Sequence, residues 1–141
     1  MDKHPQYFEG ILQLRNPTKE SLNYVENQIK KRQDVFIAKT EKTKNGLDYY
    51  ISSNRFLKTL GKKMQKRFGG ELKLSPKLYT INRQTSKKVY RLTVLVRLPT
   101  NKPGDIINYR GDKIKVLKVG KKIFGKNLES GRKVNINFEY L

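Results

Sequence analysis

The chain has 141 residues, 32 of them Lys or Arg and 12 Asp or Glu, for a formal charge of +20 at pH 7. With no cysteine it can form no disulfide and no thiolate metal site, and its one histidine, His4, falls in an expected N-terminal tail, which leaves almost no material for a histidine-based metal site or a Ser–His triad. Hydrophobic residues make up 35%, which permits a modest core rather than a large enzyme pocket, and no apolar run approaches the roughly 20 residues that cross a bilayer.

MDKHPQYFEG at the N-terminus has no apolar signal core, so a cytoplasmic protein is expected. YFEGILQLR (7–15) reads as a strand. Asn16-Pro17-Thr18 then predicts a helix start, with Asn16 as cap and Pro17 at the first helical position, where no N–H is needed. Leu22, Val25 and Ile29 recur at helical spacing, giving a helix over about 17–32 that ends on Lys30-Lys31-Arg32. DVFIAKTE (34–41) and LDYYIS (47–52) read as a hairpin about Asn45-Gly46, with one of Tyr49 and Tyr50 facing in. Ser52-Ser53-Asn54 offers caps for a second helix over about 54–68. Phe56, Leu57, Leu60, Met64 and Phe68 share one arc of it, and Gly69-Gly70 stops it.

Strands over 71–81 and 88–98 follow, joined by the basic loop NRQTSKKVYR (82–91). In the second, Tyr90, Leu92, Val94, Val96 and Leu98 alternate with more polar positions. The order β-α-β-β-α-β-β predicts an α+β fold: two helices on an antiparallel sheet, a split βαβ, ferredoxin-like layer with one added strand. PTNKPG (99–104) reads as a linker. Beyond it, turns at Arg110-Gly111-Asp112, Gly120-Lys121-Lys122 and Glu129-Ser130-Gly131 predict a small β-barrel. About 40 residues is too short for a comfortable core, so this second unit (99–141) should lean on the first (1–98).

The charge is concentrated. Residues 51–98 hold 13 Lys or Arg against one acid, Glu71, which points to an acidic polymer as partner. On the second helix Arg55, Lys58, Lys62 and Lys66 form a row opposite the apolar arc, and such a row can follow a phosphate backbone. A solvated helix face is the plainer explanation, but such faces intersperse glutamate, and none stands between Glu41 and Glu71. Lys73, Lys77, Arg83, Lys87 and Lys88 extend the basic surface to the hairpin, although hairpin-tip lysines also guard against edge pairing. Lys121 and Lys122 add a basic turn in the second unit. Tyr79 and Tyr90 flank the loop and could stack on unpaired bases, but pairing with each other across the hairpin accounts for them more simply. Asp34, Asp48, Asp105 and Asp112 are scattered at turns and strand ends, and no phosphate-cradling glycine motif or nucleophile elbow is present. No enzymatic activity and no cofactor are therefore expected.

The stretches FEGILQLRN, GLDYYISSNRFLKTLGKKMQKRFGGELKLSPKLYTINRQTSKKVYRLTVLVRLP and GDIINYRGDKIKVLKVGKKI resemble one family over about 7–141. It is the nuclear export adaptor of the large ribosomal subunit, the nonsense-mediated-decay protein three family, in its archaeal relatives. The likeness lies in the order and extent of these segments rather than in any single-residue motif. The zinc module of four Cys-x-x-Cys pairs that opens the family has no counterpart in a chain without cysteine. The resemblance implies that residues 99–141 form an SH3-like barrel. It also implies binding to the large ribosomal subunit, through rRNA and ribosomal proteins, in late maturation or translation. The leucine-rich tail that recruits an exportin in eukaryotes has no match here. The alternative expectation is a general RNA- or DNA-binding module.

Overall fold

The computed structural model describes residues 7–81, 84–86 and 88–138, and the chain is α+β, with two helices and two sheets. Strand β1 (Gly10–Arg15) leads into helix α1 (Lys19–Lys30). The cap is Thr18 rather than Asn16. Thr18 Oγ1 accepts the Ser21 backbone N–H at 3.1 Å, and Ser21 Oγ accepts that of Thr18 at 2.8 Å, a capping box with serine at its third position. Asn16 takes a left-handed φ of 54° and donates its side-chain amide to the Leu98 carbonyl at 3.3 Å. A partner 82 residues away claims it, which no local signal shows.

Strand β2 (Ile37–Thr43) pairs with β3 (Gly46–Ile51) about the expected Asn45-Gly46 turn. It begins later than expected because Val35 is buried in the core and the Phe36 N–H goes to Ser52 Oγ. Helix α2 (Asn54–Phe68) is capped by Ser53, whose Oγ accepts the Phe56 N–H, and it buries Phe56, Leu57, Leu60 and Met64 as the periodicity predicts. Phe68 is half-buried, edge-on to Tyr24.

Strands β4 (Glu71–Ile81) and β5 (Lys88–Arg97) form a long hairpin, and the first sheet has the order β2-β3-β1-β5-β4. Its ladders are antiparallel except one: β1 and β5 run parallel, with Gly10 beside Leu92 and Arg15 beside Arg97. The sheet is thus mixed, not wholly antiparallel. The hairpin enters with its second strand against β1 and its first strand at the edge, so the strand meeting β1 runs in the same direction. Leu12, Leu14, Val94 and Val96 face Val25, Leu57, Leu60 and Met64 in one core. Each such fully buried side chain stabilises the fold by about 1.5–3 kcal/mol.

The second sheet is an antiparallel meander of β6 (Ile106–Tyr109), β7 (Asp112–Val119), β8 (Ile123–Asn127) and β9 (Lys133–Ile136), paired in that order. Its turns fall where the sequence places them. At the first, Arg110 and Gly111 both take positive φ (52° and 83°), as a two-residue hairpin turn requires. Ile114, Val116, Ile123 and Ile136 make its small core. The two sheets meet backbone to backbone, where the Gly70 N–H donates to the Gly120 carbonyl at 2.8 Å.

Candidate nucleic-acid interface

Arg55, Lys58, Lys62 and Lys66 lie exposed along the solvent side of α2, opposite its buried arc. Among the described residues none of the four has an ion-pair partner. The row is therefore a line of uncompensated cations on a rigid element, each adding to an electrostatic field that favours a polyanion.

Lys73 and Lys77 do not extend that row. They stand opposite Leu95 and Arg91 in the β4–β5 ladder, while Leu72 and Leu74 pack toward the helices, so the two lysines project from the helix-free face. The basic surface expected as one region is thus split between the two sides of the sheet. Lys88 is exposed at the start of β5, opposite Ile81. Arg83 and Lys87 lie outside the described residues, as does His4.

Lys121 and Lys122 sit exposed in the β7–β8 turn. They line a cleft of about 380 Å³ together with Lys73, Gln65, Glu71 and Phe138. Lys73 thus converges with the sequence-distant pair Lys121 and Lys122 at the seam between the sheets. Glu71, the acid among them, is also engaged by Arg97 at 3.5 Å.

The helix-free face carries a second feature. Arg91 places its guanidinium carbon 4.1 Å from the ring centroid of Phe8 and 3.8 Å from that of Tyr79. Phe8 packs edge-on to Tyr50 at 4.9 Å, and Lys39 Nζ lies 5.2 Å over Tyr50. A row of cations and rings, Lys39, Tyr50, Phe8, Arg91 and Tyr79, therefore runs from β2 across to β4. The sequence gives no sign that Phe8 belongs to this row, and Arg91 counts there only as a charge of the loop 82–91 and a position on the mixed face of the second strand. No local pattern marks either, because sheet order alone brings them together. As expected of the tyrosine pair, Tyr49 is buried, and Tyr50 is the half-buried ring that enters this row.

Tyr79 and Tyr90 are not cross-strand partners. Tyr90 stands opposite Leu78, Val89 opposite Thr80, and Tyr79 falls at the irregularity between them. Nearby, the Glu9 carboxylate accepts the Asn54 N–H at the start of α2 (2.8 Å) and the Tyr7 hydroxyl (2.6 Å). Burial, reinforced by the Glu9 carboxylate and opposed by Arg91, pushes the Tyr7 phenol up to about 12.

Three of the four aspartates singled out in the sequence have side-chain partners in the fold. Asp34 pairs with Arg32 at 3.0 Å, Asp48 with Arg15 at 2.8 Å, and Asp105 accepts the Lys102 N–H at 2.8 Å. Among the described residues no group of three His, Asp or Glu could hold a metal ion, and no helix is long and apolar enough to cross a membrane.

A family model described as NMD3, second domain, matches residues 7–98. The chain belongs to the NMD3 family. The match takes in the whole first sheet and both helices, and hence the α2 cation row and the cation–aromatic row. Lys121 and Lys122 fall beyond the part matched to the NMD3 second domain. A comparison with curated protein sequences gives no significant match.

Proposed function

We propose that this NMD3-family chain binds the large ribosomal subunit without catalysing a reaction, contacting rRNA and neighbouring ribosomal proteins in late maturation or translation. The observation that carries the proposal is the uncompensated row Arg55, Lys58, Lys62 and Lys66 on the second domain of a ribosome-associated export-adaptor family. Folded rRNA offers phosphates at close spacing and unpaired bases, which suits a rigid cationic helix beside a basic cleft. Lys73, Lys121 and Lys122 would close on a phosphate from two sides of the seam. Lys77, Arg83, Lys87 and Lys88 would contribute at the hairpin. The reading includes a cytoplasmic protein of archaeal type, with a ferredoxin-like unit followed by an SH3-like barrel and no cofactor.

Co-sedimentation with purified large subunits tests the proposal. Binding to intact subunits in preference to an equal mass of bare RNA is expected. Equal binding to bare RNA or DNA with no retention on the subunit would favour a general nucleic-acid module instead.

A further inference from the structure

Pairing of β1 with β5 begins at Gly10 beside Leu92, so residues 88–91 of β5 and the facing part of β4 project beyond the end of β1. Alongside this projection lies a hollow of about 710 Å³, lined by Tyr7, Phe8, Asn54, Tyr79, Lys88 and Arg91 among others. That volume lies within the range of about 300–1,000 Å³ common to small-ligand sites. Tyr79 is 58% exposed and Tyr90 47%, unusually open for tyrosines within a hairpin.

Among the described residues Tyr79 has no ring partner; its cross-strand neighbour is Arg91 on β5, placed diagonally to it. Tyr79 has instead a planar guanidinium on one side, Arg91 at 3.8 Å, with Phe8 behind that at 4.1 Å. The three groups make a short stack that leaves Tyr79 as its open end. A flat, electron-poor partner would extend it. The surroundings favour an anionic remainder for that partner: Lys88 and Arg91 line the hollow, Lys77 stands exposed two residues before Tyr79 on β4, and the acid in the lining, Glu9, is engaged by the Tyr7 hydroxyl and the Asn54 N–H. A planar ring attached to an anionic backbone is the chemistry of an unpaired nucleotide.

We propose that the Phe8–Arg91–Tyr79 stack is a platform for an unpaired base of single-stranded RNA, with Lys77 and Lys88 meeting the flanking phosphates. The site is separate from the α2 row, on the other side of the sheet, and it rests on the rRNA-binding reading for its ligand class. Arg91 holds Tyr79 in place as well as attracting the nucleotide, so a lysine there keeps the charge and loses the flat surface. Asn54, which donates its side-chain amide to the Tyr90 carbonyl at 3.1 Å, anchors the projecting strand to the start of α2.

The test compares a ten-nucleotide single-stranded RNA with a fully paired RNA duplex, using intact protein and, in parallel, the Lys62→Glu/Lys66→Glu variant. A 2-aminopurine in the single strand reports stacking by fluorescence quenching. Tyr79→Leu and Arg91→Lys are expected to weaken single-strand binding by roughly five- to a hundredfold and to abolish the quench, while Tyr79→Phe retains both. Duplex binding is expected to move less than twofold. Equal losses on duplex and single strand, or no loss on either, would overturn the stacking platform and leave the rRNA reading standing. Failure of the unaltered protein to bind either RNA would overturn the platform, whereas failure to be retained on large subunits would overturn the rRNA reading. If Tyr79→Leu lowers retention on large subunits while single-strand affinity is unchanged, the face belongs to a protein partner and the platform is rejected.

Discussion

Gly70 donates its backbone N–H to the carbonyl of Gly120 at 2.8 Å, and this bond joins the end of α2 to the β7–β8 turn. It needs glycine at the donor. Gly70 has a φ of 99°, and a Cβ there would lie 2.1 Å from the Arg97 carbonyl oxygen. Gly70→Ala is therefore expected to cost about 1–3 kcal/mol through the backbone conformation alone, with the clash adding to it. A urea midpoint unchanged from that of the parent protein would contradict this geometry.

Charge reversal on α2 should act on binding and not on folding. Lys62→Glu with Lys66→Glu is expected to weaken binding to large subunits and to flatten the dependence of log affinity on log salt, since each lost phosphate contact removes about 0.7–0.9 from the slope. Both side chains are exposed, so thermal stability should change by no more than about 0.5 kcal/mol. A salt slope identical to that of the unaltered protein would make the row ordinary solvated surface.

The seam cleft invites a coupling measurement. If Lys73 and Lys122 grip the same phosphate, then Lys73→Ala and Lys122→Ala should be non-additive in subunit affinity by at least about 0.5 kcal/mol. Strict additivity would mean that the two lysines act on different groups.

Thr18→Ala removes one half of the α1 capping box and should destabilise the protein by about 0.5–2 kcal/mol in chemical denaturation. Asn16→Gly keeps the left-handed turn and loses only the bond to Leu98, so a smaller loss is expected. The reverse order would restore Asn16 as the cap.

Alkaline pH supplies a further check. The Tyr7 phenol ionises at about 12 in the folded chain against an ordinary 10.0. The folded state therefore holds its proton longer than the unfolded state, and the associated stability is complete below pH 10 and lost as pH rises to about 12. Denaturation at pH 9 and pH 11.5 should show a smaller difference for Tyr7→Phe than for the parent protein.

Some of this was readable without coordinates. The second helix was placed residue by residue because Ser53, an apolar arc and Gly69-Gly70 all lie within it or beside it. The cation row on that helix was legible for the same reason, since helical spacing alone puts Arg55, Lys58, Lys62 and Lys66 on one side. The cap of α1 was misplaced by two residues because Asn16 and Thr18 offer equivalent side-chain acceptors, and a long-range bond to Leu98 decides between them.

By itself, the sequence determined the elements and their turns. Capping side chains, apolar periodicity and glycines at positive φ act over a few residues, and those interactions survive any arrangement of the strands. Only the tertiary structure decided that β5 lies parallel to β1, that Arg91 reaches Phe8, and that Lys73 shares a cleft with Lys121 and Lys122. Those meetings depend on which strand enters the sheet beside which. That choice is set by the summed packing of one core over the whole sheet, and no short window of residues contains it.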